Sequence, residues 1–214
     1  MPKNKIGIIG SGRLGTALAR LLSNAGYEVS IINSKSPDSL KLQLKVLLPK
    51  VTARKINELI AWSDIIILAL PLREYTTLSL DKMSGKIIID AMNYWAGIDG
   101  KIPEFEKYAG SSSELVAKSL PNSRVIKTLN SVAYNELEEH SAPKRTMNRR
   151  AIPLAGDDES AKAIVCEIID NIGFDPVDLG PLSRGRLFQP DTNLFNTRLN
   201  HKQVTASYFA QDVI

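Results

Sequence analysis

KIGIIGSGRLGTALARLLSNAGYEVSII, residues 5–32, decides the fold. Lys5 to Ile9 has the length of a strand. Gly10, Gly12 and Gly15 follow at G-x-G-x-x-G spacing and open a helical pattern in which Leu14, Leu18, Leu21 and Leu22 share one face. Gly26 stops that helix, and Tyr27 to Ile32 reads as a second strand. Gly10 allows the tight turn out of the first strand, Gly12 lets a pyrophosphate approach the backbone, and Gly15 lets the helix lie close to the sheet. The free N–H groups of the helix's first turn, with the positive end of its dipole, then hold phosphate charge. A glycine triplet alone is weak; one that leaves a strand and opens a helix before a second strand has the context of a dinucleotide-binding β-α-β unit.

The end of the second strand selects the dinucleotide. An Asp or Glu there would accept hydrogen bonds from the ribose hydroxyls of NADH and repel a 2'-phosphate. This chain has Asn33, Ser34 and Lys35, an amide, a hydroxyl and a cation suited to a phosphate dianion, with Ser36 as N-cap and Pro37 at the first position of the next helix. Arg13, inside the glycine motif, can reach the same charge. The expected cofactor is NADP(H).

At 214 residues and 43% hydrophobic, the chain can bury the core of one ordinary domain and a small second one. The single cysteine, Cys166, falls near the apolar face of a helix, which excludes a disulfide framework or a cysteine-built zinc cluster within one chain and fits a reducing compartment. It reads as structural rather than nucleophilic. No apolar run approaches the roughly 18 residues of a membrane span, and the short run ahead of Gly10 passes straight into the glycine motif, so a cytoplasmic protein without membrane contact is expected. The net charge is +4. Lys144, Arg145, Arg149 and Arg150 form the densest basic cluster, and with no aromatic residues between them they read as a solvated loop rather than a nucleic-acid surface.

Beyond Leu40 the pattern alternates strands and helices, which implies a doubly wound parallel sheet of the Rossmann type. A helical stretch from Ser39 leads to an apolar segment at Val46 to Leu48. Ile56 to Trp62 is a helix, Ile65 to Leu70 a strand stopped by Pro71, and Lys86 to Asp90 a strand ending in Ala91-Met92-Asn93. A loop with Tyr94, Trp95 and Gly97 follows, of a length that suggests contact with a ligand or partner. Ser112 to Leu120 is a helix and Arg124 to Leu129 a strand, with Asn130 to Ala133 at its carboxyl end. The chain then restarts as strand (Ala151 to Ala155), helix (Glu159 to Ile172) and strand (Pro176 to Leu179), before a helix-poor tail from Gly180 to Lys202. The expected division is an NADP-binding domain over 1–147 and a small α/β domain over 148–214.

Acid/base groups are sparse. His140 and His201 both lie among polar residues and read as surface histidines, and no nucleophile elbow, metal-spaced histidine pair or Cys-x-x-Cys is present; no catalytic residue and no metal is assigned. Hydride transfer asks a protein mainly for alignment, and an acceptor that delocalises the electron pair over a conjugated ring takes its proton from water. That favours a flavin-like acceptor.

The motifs GSGRLG, NSKSPDSL, DIIILALPL, GKIIIDAMN, SSSELVAKSLPNSRVIKTLNS, PLAGDD and GFDPVDLGPLSRGRL occur in one order along nearly the whole chain. In this the sequence resembles the NADPH-dependent coenzyme F420 reductase family. The resemblance implies hydride transfer between NADP(H) and a deazaflavin (F420) or flavin lying in a cleft between a Rossmann domain and a small C-terminal domain. Ser11, Gly12, Arg13, Leu14, Asn33, Ser34, Lys35, Leu70 and Pro71 match the family's NADP site, which Asn93 adjoins. Asn130, Ser131, Val132 and Ala133, with the 180–187 loop that carries Arg186 and Leu187, match the walls of the acceptor cleft. Family members that use F420 can carry a histidine and a proline where this chain has Asn130 and Ala133. The acceptor therefore stays open between F420 and a flavin, and Asn130 reads equally as a cap on its strand. The partner expected is a small-molecule hydride acceptor, a homodimer is compatible with the sequence, and the alternative function is a non-catalytic NADP(H)-binding redox sensor or regulatory module.

Overall fold

A computed structural model describes residues 3–32, 40 and 44–211. The expected phosphate site at Asn33, Ser34 and Lys35, with Ser36 and Pro37, lies outside the described residues. Among the described residues one sheet of eight strands is formed, in the order β3-β2-β1-β4-β5-β6-β7-β8. The strands are β1 (Lys5–Ile9), β2 (Glu28–Ile32), β3 (Val51–Ala53), β4 (Ile65–Leu68), β5 (Ile87–Asp90), β6 (Arg124–Thr128), β7 (Ala151–Gly156) and β8 (Asp175–Asp178). All neighbours pair in parallel except β6 and β7, which are antiparallel.

The central strands are apolar at nearly every position because both faces of the sheet are covered, as a parallel sheet requires. IIIL in β4 and IIID in β5 are buried throughout. Their side chains alternate with the period-2 geometry of a strand: Ile65, Ile67, Ile87 and Ile89 enter one core, and Ile66, Leu68 and Ile88 the other. Each fully buried isoleucine contributes about 1.5–3 kcal/mol of transfer free energy. The helix Arg13–Asn24 covers the first face through Ala17, Leu18 and Leu22. Ile56–Trp62 covers the second through Leu59 and Ile60.

The β7–helix–β8 unit extends this same sheet. Its helix, Glu159–Asn171, is capped by Asp158, whose carboxylate accepts from the Ala161 N–H at 2.7 Å, and Ala161, Val165 and Ile168 join the first core. Cys166 lies half-buried on this helix, and burial pushes its thiol above the ordinary value.

Four details differ from the sequence reading. The strand beside β2 is Val51–Ala53, whereas Val46 and Leu47 are exposed in a helical turn over 44–47. The loop after Asn93 holds two single-turn helices, Ala96–Asp99 and Pro103–Glu106. The tail ends in a helix, His201–Gln211, which the sequence reading lacks; Val204 buries against β7 and β8, but the weakly periodic sequence carries little amphipathic signal. The basic cluster is only partly solvated: Arg149 and Arg150 are buried. Arg149 pairs with Asp170 at 2.7 Å and Asp175 at 3.0 Å, and Arg150 pairs with Glu136 at 2.7 Å while meeting His140 Nδ1 at 2.7 Å. Partners supplied by other elements make burial tolerable, and local sequence does not reveal them.

Candidate cofactor and acceptor site

The strand order reverses between β1 and β4, and crevices in open α/β sheets form beyond the carboxyl ends of strands at such a point. Register sets the ends level. Ile9 pairs with Ile32 and Leu68, and Leu68 with Asp90. The Gly10 N–H then donates to Ile32 O at 2.9 Å, Ala69 N–H to Ile9 O at 2.9 Å and Ala91 N–H to Leu68 O at 3.1 Å, so the glycine loop and the loops after β4 and β5 share one edge.

The three motif glycines stand in different surroundings. At Gly10 the backbone has φ +120°, and a Cβ would lie 2.1 Å from Ala69 O. At Gly15 a Cβ would lie 1.9 Å from Gly10 O. These two are glycines because the protein's own backbone leaves no room. Gly12 differs: it caps the helix with an ordinary φ of −68°, and a Cβ there would meet nothing within 4 Å. Nothing among the described residues requires glycine at position 12. The free space lies against the first turn of the helix, where unpaired N–H groups and the dipole attract an anion.

A groove of about 640 Å³ opens over Ser11, Gly12 and Arg13 and runs between the helices Arg13–Asn24 and Tyr134–Glu139. The Arg13 guanidinium donates to the Tyr134 hydroxyl at 2.7 Å and lies 5.3 Å from the centre of its ring. Arg20 pairs with Glu138 on the same two helices. Arg13 is thus turned toward the segment after β6. Leu14 is half-buried at the start of its helix, Leu70 is half-buried against the second core, and Pro71 is exposed at the end of the β4 loop.

The segments after β5 and β6 are stitched together. Leu129, buried and left-handed at φ +63°, ends β6 and turns Asn130 toward its neighbour strand. The Asn93 side-chain amide donates to Asn130 O at 2.9 Å, and Asn130 donates to Asn93 Oδ1 and to Phe188 O, each at 3.0 Å. Since both acceptors are oxygens, these bonds fix which way the Asn130 amide faces. Asn130 therefore joins the β5 end, the β6 end and the Leu182–Phe188 turn. Ser131 and Val132 are buried, Ala133 caps the next helix, Arg186 is exposed and Leu187 is half-buried against the third core.

Beneath this edge lies a polar cluster that the sequence reading missed. Lys127 of β6 and Asp90 of β5 are opposite in register and wholly buried, with Nζ 3.6 Å from Oδ2. Lys127 also donates to Met92 O. Asp90 accepts from Met92 N–H at 2.9 Å and from the Ser113 hydroxyl at 2.6 Å. Burial pushes the Lys127 ammonium below the ordinary lysine value, opposed by the adjacent carboxylate. A Cβ at Gly185 would lie 3.1 Å from Lys127 Cγ and 2.5 Å from Ser111 Oγ, so the Leu182–Phe188 turn rests directly on this cluster. Gln189 adds a clamp by accepting from Ser112 N–H at 2.6 Å. A lysine inside an apolar strand, RVIKT, beside a strand ending in Asp, was the available signal.

Residues 5–94 match the model of the family described as NADP oxidoreductase, coenzyme F420-dependent, which bears out the family resemblance over that stretch. The chain is 29% identical to the Metalloreductase STEAP3 of Rattus norvegicus over 184 residues, which cover 85% of this chain and 35% of that protein. It spans about a third of the length of this curated relative. Among solved structures, the hypothetical protein SMa0349 from Sinorhizobium meliloti superposes with a TM-score of 0.75 at 28% identity, covering 92% of this chain and 95% of that one. An Arthrobacter sp. FB24 protein named "putative f420 dependent nadp-reductase" superposes with a TM-score of 0.72 at 22% identity, covering 86% and 87%. The second likeness is one of fold. No helix among the described residues is long and apolar enough to cross a membrane.

Proposed function

We propose that this protein is an NADPH-dependent oxidoreductase that transfers hydride to a small conjugated ring, a deazaflavin such as F420 or a flavin. The observation that carries the reading is Gly12, a glycine in unstrained backbone with open space at its Cβ, placed at the N-terminus of a helix. A pyrophosphate explains why no side chain stands there. The match of residues 5–94 to an NADP oxidoreductase family supports NADP(H) as the dinucleotide.

In this reading Ser11, Gly12 and Leu14 hold the pyrophosphate in a loop shaped by Gly10 and Gly15, and Asn33, Ser34 and Lys35, with Arg13, hold the 2'-phosphate. Leu70, Pro71 and Asn93 line the path toward the nicotinamide. Bound NADPH supplies the hydride; the ring accepts two electrons with it and takes a proton from water. Asn130 to Ala133, with the 180–187 turn, wall the acceptor, and residues 148–214 act as the unit that closes the cleft. The protein's part is alignment: the Asn93–Asn130 amide pair and the Lys127–Asp90 cluster fix the strand ends whose residues would orient the two rings.

The test is anaerobic oxidation of NADPH with F420, FMN, FAD or riboflavin. Turnover with at least one ring, and slower turnover with NADH, is expected. Tight NADPH binding with oxidation no faster than the enzyme-free control for every acceptor would instead make the protein a binding module.

A further inference from the structure

Trp95 stands two residues beyond Asn93 and is 41% exposed, yet its position is tightly held. Its backbone N–H donates to Asp99 Oδ2 at 2.8 Å, and the buried Asp99 carboxylate also accepts from the backbone N–H of Arg73 at 3.1 Å. The indole meets the Phe195 ring at a centroid distance of 5.8 Å and an interplanar angle of 66°. Phe195 is itself anchored beside the cleft: the next residue, Asn196, donates its N–H to Ser131 O at 2.8 Å from a left-handed backbone at φ +53°. The indole thus packs on a ring whose next residue is bonded to Ser131, in the segment that Asn130 joins to Asn93.

A large aromatic side chain on a backbone pinned by Asp99, packed on one ring and left half in water, forgoes burial that a looser loop would allow it. Rigid aromatic residues at a pocket rim lose little conformational freedom when a flat ring stacks on them. We infer that Trp95, braced by Phe195, is the residue against which the planar ring of the hydride acceptor stacks, and that it sets the preference for fused conjugated rings over small non-planar oxidants. This rests on the oxidoreductase reading above and adds to it a specificity-determining residue. The chemistry recognised is the π face shared by flavins and deazaflavins; no hydrogen-bonding group peculiar to either is needed.

The sequence holds two tryptophans, so a Trp62→Phe background leaves Trp95 as sole reporter. Trp62 sits elsewhere, with the Arg54 guanidinium 4.6 Å from its ring centre. Titrating riboflavin into that variant with saturating NADP+ should quench the Trp95 emission saturably. In steady-state assays with NADPH, Trp95→Leu keeps apolar bulk but removes the π face, and should raise KM for riboflavin and for F420 on the order of tenfold. Trp95→Phe should stay within about threefold of the native KM, and the dissociation constant for NADPH should not change in either variant. Comparable KM values for the Leu, Phe and native proteins, in an enzyme that turns over, would overturn this inference and leave the oxidoreductase reading intact. Saturable quenching without turnover would uphold the stacking site while removing the reductase activity. Absence of both would remove both.

Discussion

Replacing the three motif glycines one at a time separates the structural from the ligand-binding use of the loop. At Gly10 an alanine takes up a positive φ, which costs about 1–3 kcal/mol in strain. Its Cβ also lies 2.1 Å from Ala69 O, so backbone must move. Overpacking of that kind costs about 1–3 kcal/mol more, so Gly10→Ala loses about 2–6 kcal/mol. Gly15→Ala places its Cβ 1.9 Å from Gly10 O and loses a similar packing contribution without the strain. In Gly12→Val the Cβ meets nothing within 4 Å among the described residues and the backbone keeps an ordinary φ. Its cost is the weaker helix-capping of valine, about 1 kcal/mol or less. In a protein of this size that lowers the melting temperature by about 2–4 °C. Urea denaturation monitored by circular dichroism, alongside NADPH titration, gives both quantities. The expected pattern is Gly12→Val near native stability with NADPH binding lost, and Gly10→Ala and Gly15→Ala strongly destabilised. Native-like NADPH affinity in a folded Gly12→Val protein would refute the reasoning, since the open space would then serve no ligand.

Lys127→Met should destabilise the protein by about 3–5 kcal/mol because it strands the Asp90 carboxylate in the core, while the Lys127→Met/Asp90→Asn double variant should lose less than the two single losses combined; denaturant titrations of all three proteins check this. Hydrogen bonds from Arg198 and Arg150 hold the Glu136 carboxyl below the ordinary glutamate range. At acidic pH the unfolded chain thus binds more protons there, so this contribution is present above the ordinary glutamate pKa and is lost as pH falls through the folded one; Glu136→Gln should flatten that part of the melting temperature against pH curve. Lys35→Asp should weaken NADPH by on the order of tenfold to a hundredfold and NADH far less, read from paired titrations at fixed salt. Ala133→Trp should obstruct the proposed acceptor cleft, lowering hydride transfer on the order of a hundredfold with little change in NADPH affinity.

Much of the sheet was legible because its strands are continuous apolar runs separated by glycine, serine or aspartate, and the motif glycines locate the edge that carries the candidate site. What escaped reading depends on contacts between distant segments. Arg149 and Arg150 look like a solvated basic loop until Asp170, Asp175 and Glu136 are brought beside them. Lys127 looks like a surface strand residue until register places it opposite Asp90. The antiparallel pairing of β7 with β6 and the final helix likewise have no local signature. Asn130 could be placed at a strand end from sequence, but its joining of three segments emerges only from the hydrogen bonds to Asn93 and Phe188.

Under the proposed function hydride transfer is stereospecific, because a cleft that aligned the two rings would present one face of the nicotinamide to the acceptor. NADPH carrying deuterium at C4, prepared separately in each of its two stereochemical forms, is oxidised anaerobically by the wild-type protein with the best ring acceptor, and the NADP+ formed is analysed by mass spectrometry. The account predicts that one form yields NADP+ free of deuterium and the other yields NADP+ that retains it. Equal retention from both forms, or NADPH oxidation no faster than in the enzyme-free control, would contradict it.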